Sequence, residues 1–280
     1  MTAISTAYRF VRRNILGVRP KLINVYRMHQ ENLGDRQCSP KLYFDFLQDA
    51  EEMDILPYHT ARRDNIYKDI RDHVVILGGG GILMYDRIMK QIASSGARAV
   101  VLWGAGHNNH GESALQGMPD YLKKFTLAGI RDVVPGYDWV PCPSCMHPAF
   151  SREYAIKHDY VIYEHAEFPI HPSIPGPRIT NYARDFNEVI AFLASGETVL
   201  TNSYHGAYWA TLLNRKVMVV DPFSSKFYGF KHKLPVVAGE EWKTKLKECR
   251  SYPEALRECR ELNKKFAAKA QNLIHKSIKK

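Results

Sequence analysis

Thr198-Val-Leu-Thr-Asn-Ser-Tyr-His-Gly-Ala-Tyr-Trp-Ala-Thr-Leu-Leu-Asn-Arg-Lys-Val-Met-Val-Val220 is the stretch that decides the fold. Its pattern predicts a buried strand over 198–200, a polar turn over 201–205, a helix over 206–213 and a second strand over 217–220. A β-branched run, a short helix and another apolar run are the signature of a parallel α/β sheet. The turn with Asn202, Ser203, Tyr204 and His205 then lies at the carboxyl end of a strand and the amino end of a helix. Open α/β sheets bind ligands there, and unpaired N–H groups favour anions. An imidazole at that corner suits acid–base work on an anionic substrate.

The same unit repeats upstream. A first strand is expected over 21–28, then the polar turn Gln30–Arg36. Ser39 and Pro40 read as the cap and first residue of a helix running to about Ala50. Val74–Leu77 reads as a buried strand, followed by Gly78-Gly-Gly-Gly81 and a helix over 82–94. Another strand over 99–103 leads into Gly104-Ala-Gly106, and a helix over 120–128 precedes Arg131-Asp132. After an irregular Pro-, Cys- and aromatic-rich segment, a strand at 160–163 and a helix over 181–194 lead back to the opening stretch. The chain therefore reads as α/β, with one lobe over 20–150, a second over 151–238 and a basic helical segment over 239–280. In that last segment Ala255, Leu256, Cys259, Leu262, Phe266, Ala270, Leu273 and Ile274 fall roughly on one face, with lysines opposite.

The 280 residues suffice for sizeable cores, and no apolar run has the length of a membrane span. Met1–Arg19 lacks the uninterrupted apolar core of a secretory signal, so a cytoplasmic location is the expectation. Five cysteines, an odd number, argue against a disulfide framework. The net charge of +10 is concentrated towards the two ends. Nucleic acid ranks last among its partners, because no binding module or interleaved aromatic platform is present. Attraction of the basic ends to an anionic membrane surface is an expectation, set against the simpler reading of a packed stripe with solvated lysines. The oligomeric state stays open.

Asn32-Leu-Gly-Asp35, the glycine run 78–81, Gly104-Ala-Gly106, Arg131-Asp132 and Ser203-Tyr-His-Gly206 occur in order at strand ends. This ordered set resembles the polysaccharide pyruvyl transferase family over roughly residues 20–235. The resemblance implies two Rossmann-like lobes, similar to the glycosyltransferase B type. It also implies transfer of the three-carbon skeleton of phosphoenolpyruvate to a sugar diol as a ketal, with release of phosphate. The acceptor would be a sugar of a surface polysaccharide or its lipid-linked precursor, and no cofactor or metal is called for. Many family members carry arginine two residues before the motif histidine; this chain has Ser203, so Arg131, Arg184 or Lys226 would have to supply the charge.

On this reading His205 is the catalytic acid or phosphate contact and Asp35 the carboxylate facing the cleft. Asn32, Gly79, Gly80, Gly81, Gly106, Arg131, Asn202, Ser203, Tyr204, Gly206 and Lys226 bind substrate. Plainer readings stand beside these. His205 could be a buried histidine bonding the other lobe, Asp35 an ordinary turn residue, and the glycines could serve strand–helix packing. His107 and His110 lack a third metal ligand. Cys142-Pro-Ser-Cys145 opens no thioredoxin-like helix and has no second pair, so it reads as a buried loop touching the cleft. A nucleotide-sugar glycosyltransferase on the same scaffold, or a non-catalytic sugar-binding protein, are the alternatives.

Overall fold

The computed structural model describes residues 19–28, 31–60 and 65–279. Nearly all of the basic stretch Met1–Arg19 thus lies outside the described residues, as does Gln30. The described chain is α/β, with two sheets whose paired strands all run parallel and a long C-terminal helix.

The first sheet comprises β1 (Leu22–Tyr26), β2 (Glu51–Asp54), β3 (Val74–Leu77), β4 (Ala99–Ala105), β5 (Leu127–Ile130) and β6 (Asp138–Trp139), in the order β2-β1-β3-β4-β5-β6. The second comprises β7 (His158–Glu164), β8 (Arg178–Thr180), β9 (Gly196–Thr201), β10 (Lys216–Val220) and β11 (Val236–Val237), in the order β11-β10-β9-β7-β8. In each sheet the chain first adds a strand on one side and then crosses to the other. The reversal falls between β1 and β3 in the first sheet and between β7 and β9 in the second. Such reversals open a crevice beyond the carboxyl ends of the strands.

Strand alternation divides the apolar residues between two faces. Val75, Leu77, Val100 and Leu102 pack with Ile88, Met89 and Ile92 of α1 (Asp86–Ser94). Val74, Ile76, Ala99, Val101 and Trp103 turn the other way. In the second sheet Val161, Tyr163, Val199 and Val217 meet α2 (Phe186–Ser195) and α3 (Tyr204–Leu212). Ile162, Leu200, Met218 and Val220 face Ile170, Ile174 and Trp242 instead. With both faces covered, these strands read as continuous apolar runs rather than alternating ones.

The C-terminal helix α4 (Ala255–Lys279) returns to the first lobe, where Phe266, Ala267, Ala270 and Ile274 cover the Val74–Trp103 face. Its lysines 264, 265, 269, 276 and 279 are exposed, so the apolar stripe is spent on packing. Asn263 anchors the helix. Its Oδ1 accepts from Trp103 Nε1 at 2.8 Å, and its Nδ2 donates to the carbonyls of Pro141 and Cys259, both at 3.1 Å. Asn263→Ala strands the Trp103 indole N–H and the Pro141 carbonyl in a buried setting, and is expected to cost about 2–4 kcal/mol. Its urea midpoint would fall accordingly; an unchanged midpoint would detach α4 from the stability of the first lobe.

Several boundaries differ from expectation. The helix expected from Ser39 to Ala50 is two 3-10 turns, Pro40–Leu42 and Asp45–Leu47, and the acidic edge strand β2 follows. Tyr43, Phe44, Phe46 and Leu47 all reach one core. That arc is wider than the stripe of about 100° that a straight helix buries. The expected helix over 82–94 starts only at Asp86, and the one over 120–128 is the 3-10 turn Asp120–Lys124 followed by β5. In the opening stretch the helix begins at Tyr204, so Gly206 lies within its first turn rather than starting it. The helix expected from Asn181 begins at Phe186, capped by the Asp185 side chain, and the preceding segment forms β8.

Candidate active site between the lobes

A cleft of about 160 Å³ lies where the two crevices meet. Each wall residue is carried by the segment that follows a strand. Arg27, Asn32 and Asp35 follow β1; Gly81 and Tyr85 follow β3; Asn108 and His110 follow β4; Arg131 follows β5. From the second lobe, His165, Glu167 and Phe168 follow β7, Ser203–His205 follow β9, and Phe223 and Lys226 follow β10. Short bonds hold the lobes together around it. Leu33 N donates to Asn181 O at 2.9 Å, Arg36 Nη2 to Ala183 O at 3.0 Å, and Ser224 Oγ to Asn108 Oδ1 at 2.9 Å.

The cleft is cationic. Arg27 Nη1 pairs with Asp35 Oδ2 at 2.9 Å. Burial lowers the arginine's pKa, but Asp35 together with Tyr85, Cys38 and Asp54 outweighs it, and the net shift is upward. Arg131 lies with its guanidinium carbon 3.7 Å from the centre of the Tyr204 ring, a cation–π contact across the lobes. Its Nη2 donates to His107 O at 3.3 Å, while its buried Nε has no hydrogen-bond partner among the described residues. Lys226 is buried, with Nζ 3.5 Å from the centre of the Phe223 ring, and no carboxylate pairs with it among the described residues. Burial pulls its pKa well down, the Arg131 charge adds to that, and Asp35 opposes it. Burial also pushes His165 down to about 4, so it is neutral at physiological pH.

Both residues expected to be catalytic, Asp35 and His205, line this cleft, as do Asn32, Gly81, Arg131, Ser203, Tyr204 and Lys226 of those expected to bind substrate. Asn32 also caps the helical turn Leu33–Arg36 by accepting from Gly34 N at 3.0 Å. Gly79, Gly80, Gly106, Asn202 and Gly206 are not in its wall; they serve chain packing. A Cβ at Gly79 would meet Gly104 O, one at Gly106 would strike Arg131 and Asp132, and one at Gly206 would strike Tyr163 and Thr201. Gly80 has φ +90° and bridges to Ala105. Asn202 ties down the loop after β7, accepting from His165 N at 2.9 Å and donating to Phe168 O at 2.6 Å. Arg184 is exposed and outside the wall.

Asp132 does not steady Arg131. Its Oδ2 accepts from His107 N at 2.7 Å and lies 2.9 Å from His107 Nδ1. His110 instead meets Phe168 and Phe223 edge-on in the cleft.

His205 has unexpected neighbours. Its Nε2 lies 3.3 Å from Cys38 Sγ and 3.6 Å from Cys142 Sγ, and its Nδ1 edge is against Gly34. The ring is buried and reaches the other lobe through its Nε2 edge, while the residue lines the cleft. Cys142-x-x-Cys145 does not act as a pair: Cys142 turns to Cys38, while Cys145 Sγ accepts from Asn263 Nδ2 at 3.3 Å. Burial raises the Cys142 pKa, but hydrogen bonds with Cys38 and His205 outweigh it and leave the thiol well below its usual value. Burial holds Cys38 well above.

Sequence reasoning missed Arg27 and His165, each the first residue after a strand; that position was the available signal.

No protein-family model and no curated protein matches the chain. Among solved structures, an uncharacterized protein of Klebsiella pneumoniae, KP1_0663, aligns at 14% identity and a TM-score of 0.45. The alignment covers 79% of this chain and 90% of that one, a likeness too loose to bear on function.

Proposed function

We propose that the chain is a pyruvyl-transferase-like enzyme of the glycosyltransferase B type of architecture. Its interlobe cleft takes phosphoenolpyruvate and passes the three-carbon skeleton to a sugar diol of a surface polysaccharide or its lipid-linked precursor. The observation that carries this reading is the convergence of Arg27, Arg131 and Lys226, drawn from both lobes, on one small cleft. Two of these cations have no carboxylate partner among the described residues. A donor with a carboxylate and a phosphate matches that arrangement. The charge that Ser203 lacks is thus supplied from Arg131 and Lys226.

The volume also favours this donor. About 160 Å³ is below the roughly 300–1,000 Å³ of sites for drug-sized ligands, a size for a small phosphorylated acid rather than a nucleotide sugar.

The chemistry begins when a proton adds to the methylene carbon, leaving a cation at the neighbouring carbon that its oxygen stabilises. A sugar hydroxyl attacks that carbon and loses its proton. The C–O bond to phosphate then breaks, and a second hydroxyl closes the ketal; the phosphate leaves with the surplus proton. Lys226 suits the first step. A bound anion favours its ammonium form, which then has a proton to give. Asp35, oriented by Arg27, accepts the hydroxyl proton. In this reading His205 holds the lobes in register rather than delivering the proton. Attraction to anionic lipid would be electrostatic alone, since α4 spends its apolar stripe on the first lobe.

A thermal-shift panel of phosphoenolpyruvate, nucleotide sugars and free nucleotides tests the reading. At 100 times its Kd, phosphoenolpyruvate is expected to add about 2.7 kcal/mol of stability, followed by phosphate release with a diol acceptor. Stabilisation by nucleotides alone would overturn the proposal in favour of glycosyl transfer. Stabilisation by neither would favour a sugar-binding protein.

A further inference from the structure

Cys38 Sγ, Cys142 Sγ and His205 Nε2 are the one group of ligand-type atoms that converges among the described residues, and all three side chains are buried. The three come from different parts of the fold. Cys38 follows the turn after β1, Cys142 opens the 3-10 turn Pro143–Met146 between the lobes, and His205 lies in the first turn of α3. We propose that they form a binding site for a single zinc-class transition-metal ion, with three protein donors and a fourth vertex left for an exogenous ligand.

The distances carry the argument. Zinc binds thiolate at about 2.3 Å and imidazole at about 2.0 Å in a tetrahedron. Two sulfurs on such a tetrahedron stand about 3.8 Å apart, and a sulfur and a nitrogen about 3.5 Å apart. Here the sulfurs are 3.8 Å apart, and Nε2 is 3.3 and 3.6 Å from them. The three donor atoms therefore already stand at the spacing of one face of the coordination polyhedron. Thiolate and imidazole are also the donor set that a soft or borderline ion prefers over magnesium or calcium.

The surroundings suit a bound thiolate. Trp209 Nε1 donates to Ser144 Oγ at 3.0 Å, which leaves the serine's own proton for Cys142 Sγ at 3.2 Å. Such outer hydrogen bonds orient and tune metal ligands. Cys38 presently donates to Gly34 O at 3.0 Å, a bond the proton would leave on metal binding. Because the donors span both lobes, the ion would clamp the interlobe seam behind the cleft, whose wall His205 joins. The arrangement owes nothing to the pyruvyl-transfer reading and stands or falls apart from it.

The test uses the full chain, purified under reducing conditions without chelator. One equivalent of zinc is expected by elemental analysis. After its removal, one equivalent of Co²⁺ should restore a thiolate-to-cobalt charge-transfer band in the near ultraviolet. Cys38→Ser and Cys142→Ser should each weaken metal binding about tenfold or more, whereas Cys249→Ser, remote in the Trp242 cluster, should not. Should the serine variants fail to fold, the wild-type chain still decides. Its Tm should fall on chelation and recover with zinc alone. A folded wild-type chain that binds no cobalt, loading that persists in both serine variants, or a Cys38–Cys142 disulfide recovered from reduced protein would each overturn the assignment. None of these readouts uses phosphoenolpyruvate, so either reading can fail alone.

Discussion

Lys226→Met is expected to weaken donor use severely and, at the same time, to raise the Tm. Removing one preorganised charge from a dry site typically costs about 10²–10³ in rate. Lys226 has no carboxylate to share the burden among the described residues, so a loss of that order in kcat/KM follows. The gain in stability has a separate origin. Burial pulls the Lys226 pKa well down, so the fold bears the cost of holding an amine that water would protonate. Methionine keeps the contacts with the Phe223 and Phe227 rings and removes that cost. A Tm increase on the order of a few degrees is the expected readout.

The sign of the pH dependence follows. Between the folded pKa and the unfolded value of about 10.4, the unfolded chain binds more protons at this residue, so its contribution to stability rises with pH. Below the folded pKa the penalty is fully present; above pH 10.4 it is gone. The difference in Tm between Lys226→Met and the wild type should therefore shrink as pH rises from 7 towards 10. Lys226→Arg separates the roles: it keeps the charge, so KM should change less than kcat if the amine also donates the proton. A lower Tm for Lys226→Met with unchanged donor binding would remove Lys226 from the site.

The two sheets were legible because their strands are apolar on both faces, as Val74–Leu77 and Val217–Val220 are. The edge strand Glu51–Asp54 was not, since an acidic, half-exposed segment carries no strand signal of its own. The cleft was legible where a polar side chain follows a strand, as with Asp35, Arg131 and His205. The glycines were ambiguous for a physical reason. Gly79, Gly106 and Gly206 permit close approach, and a sequence does not say whether a ligand or the chain itself makes it. The Cys38–Cys142–His205 cluster was invisible, because its members lie 104, 63 and 167 positions apart and meet only once both lobes have folded.

Gly34→Ala is expected to spring the interlobe seam. The added methyl would stand 2.6 Å from Cγ of His205 and nearer still to Nδ1. The ring has little room to retreat, with Trp209 at 5.1 Å between ring centres and the two sulfurs at its Nε2 edge. Nor does the turn move freely, since Asn32 caps it and Leu33 N bonds Asn181 O across the lobes. Overpacking of a tight contact costs about 1–3 kcal/mol, which for a chain of this size lowers the Tm by about 2–5 °C. Gly117→Ala, where a Cβ meets nothing within 4 Å, is the control and should leave the Tm unchanged. Donor binding should weaken in Gly34→Ala because Arg27 and Asp35 are separated from Arg131 and Lys226 as the seam opens. The decisive measurement is a double-mutant cycle. With His205→Ala the ring is gone and the methyl has space, so Gly34→Ala should cost far less in that background than in the wild type. Equal costs in both backgrounds would mean that the imidazole is not what closes the lobes.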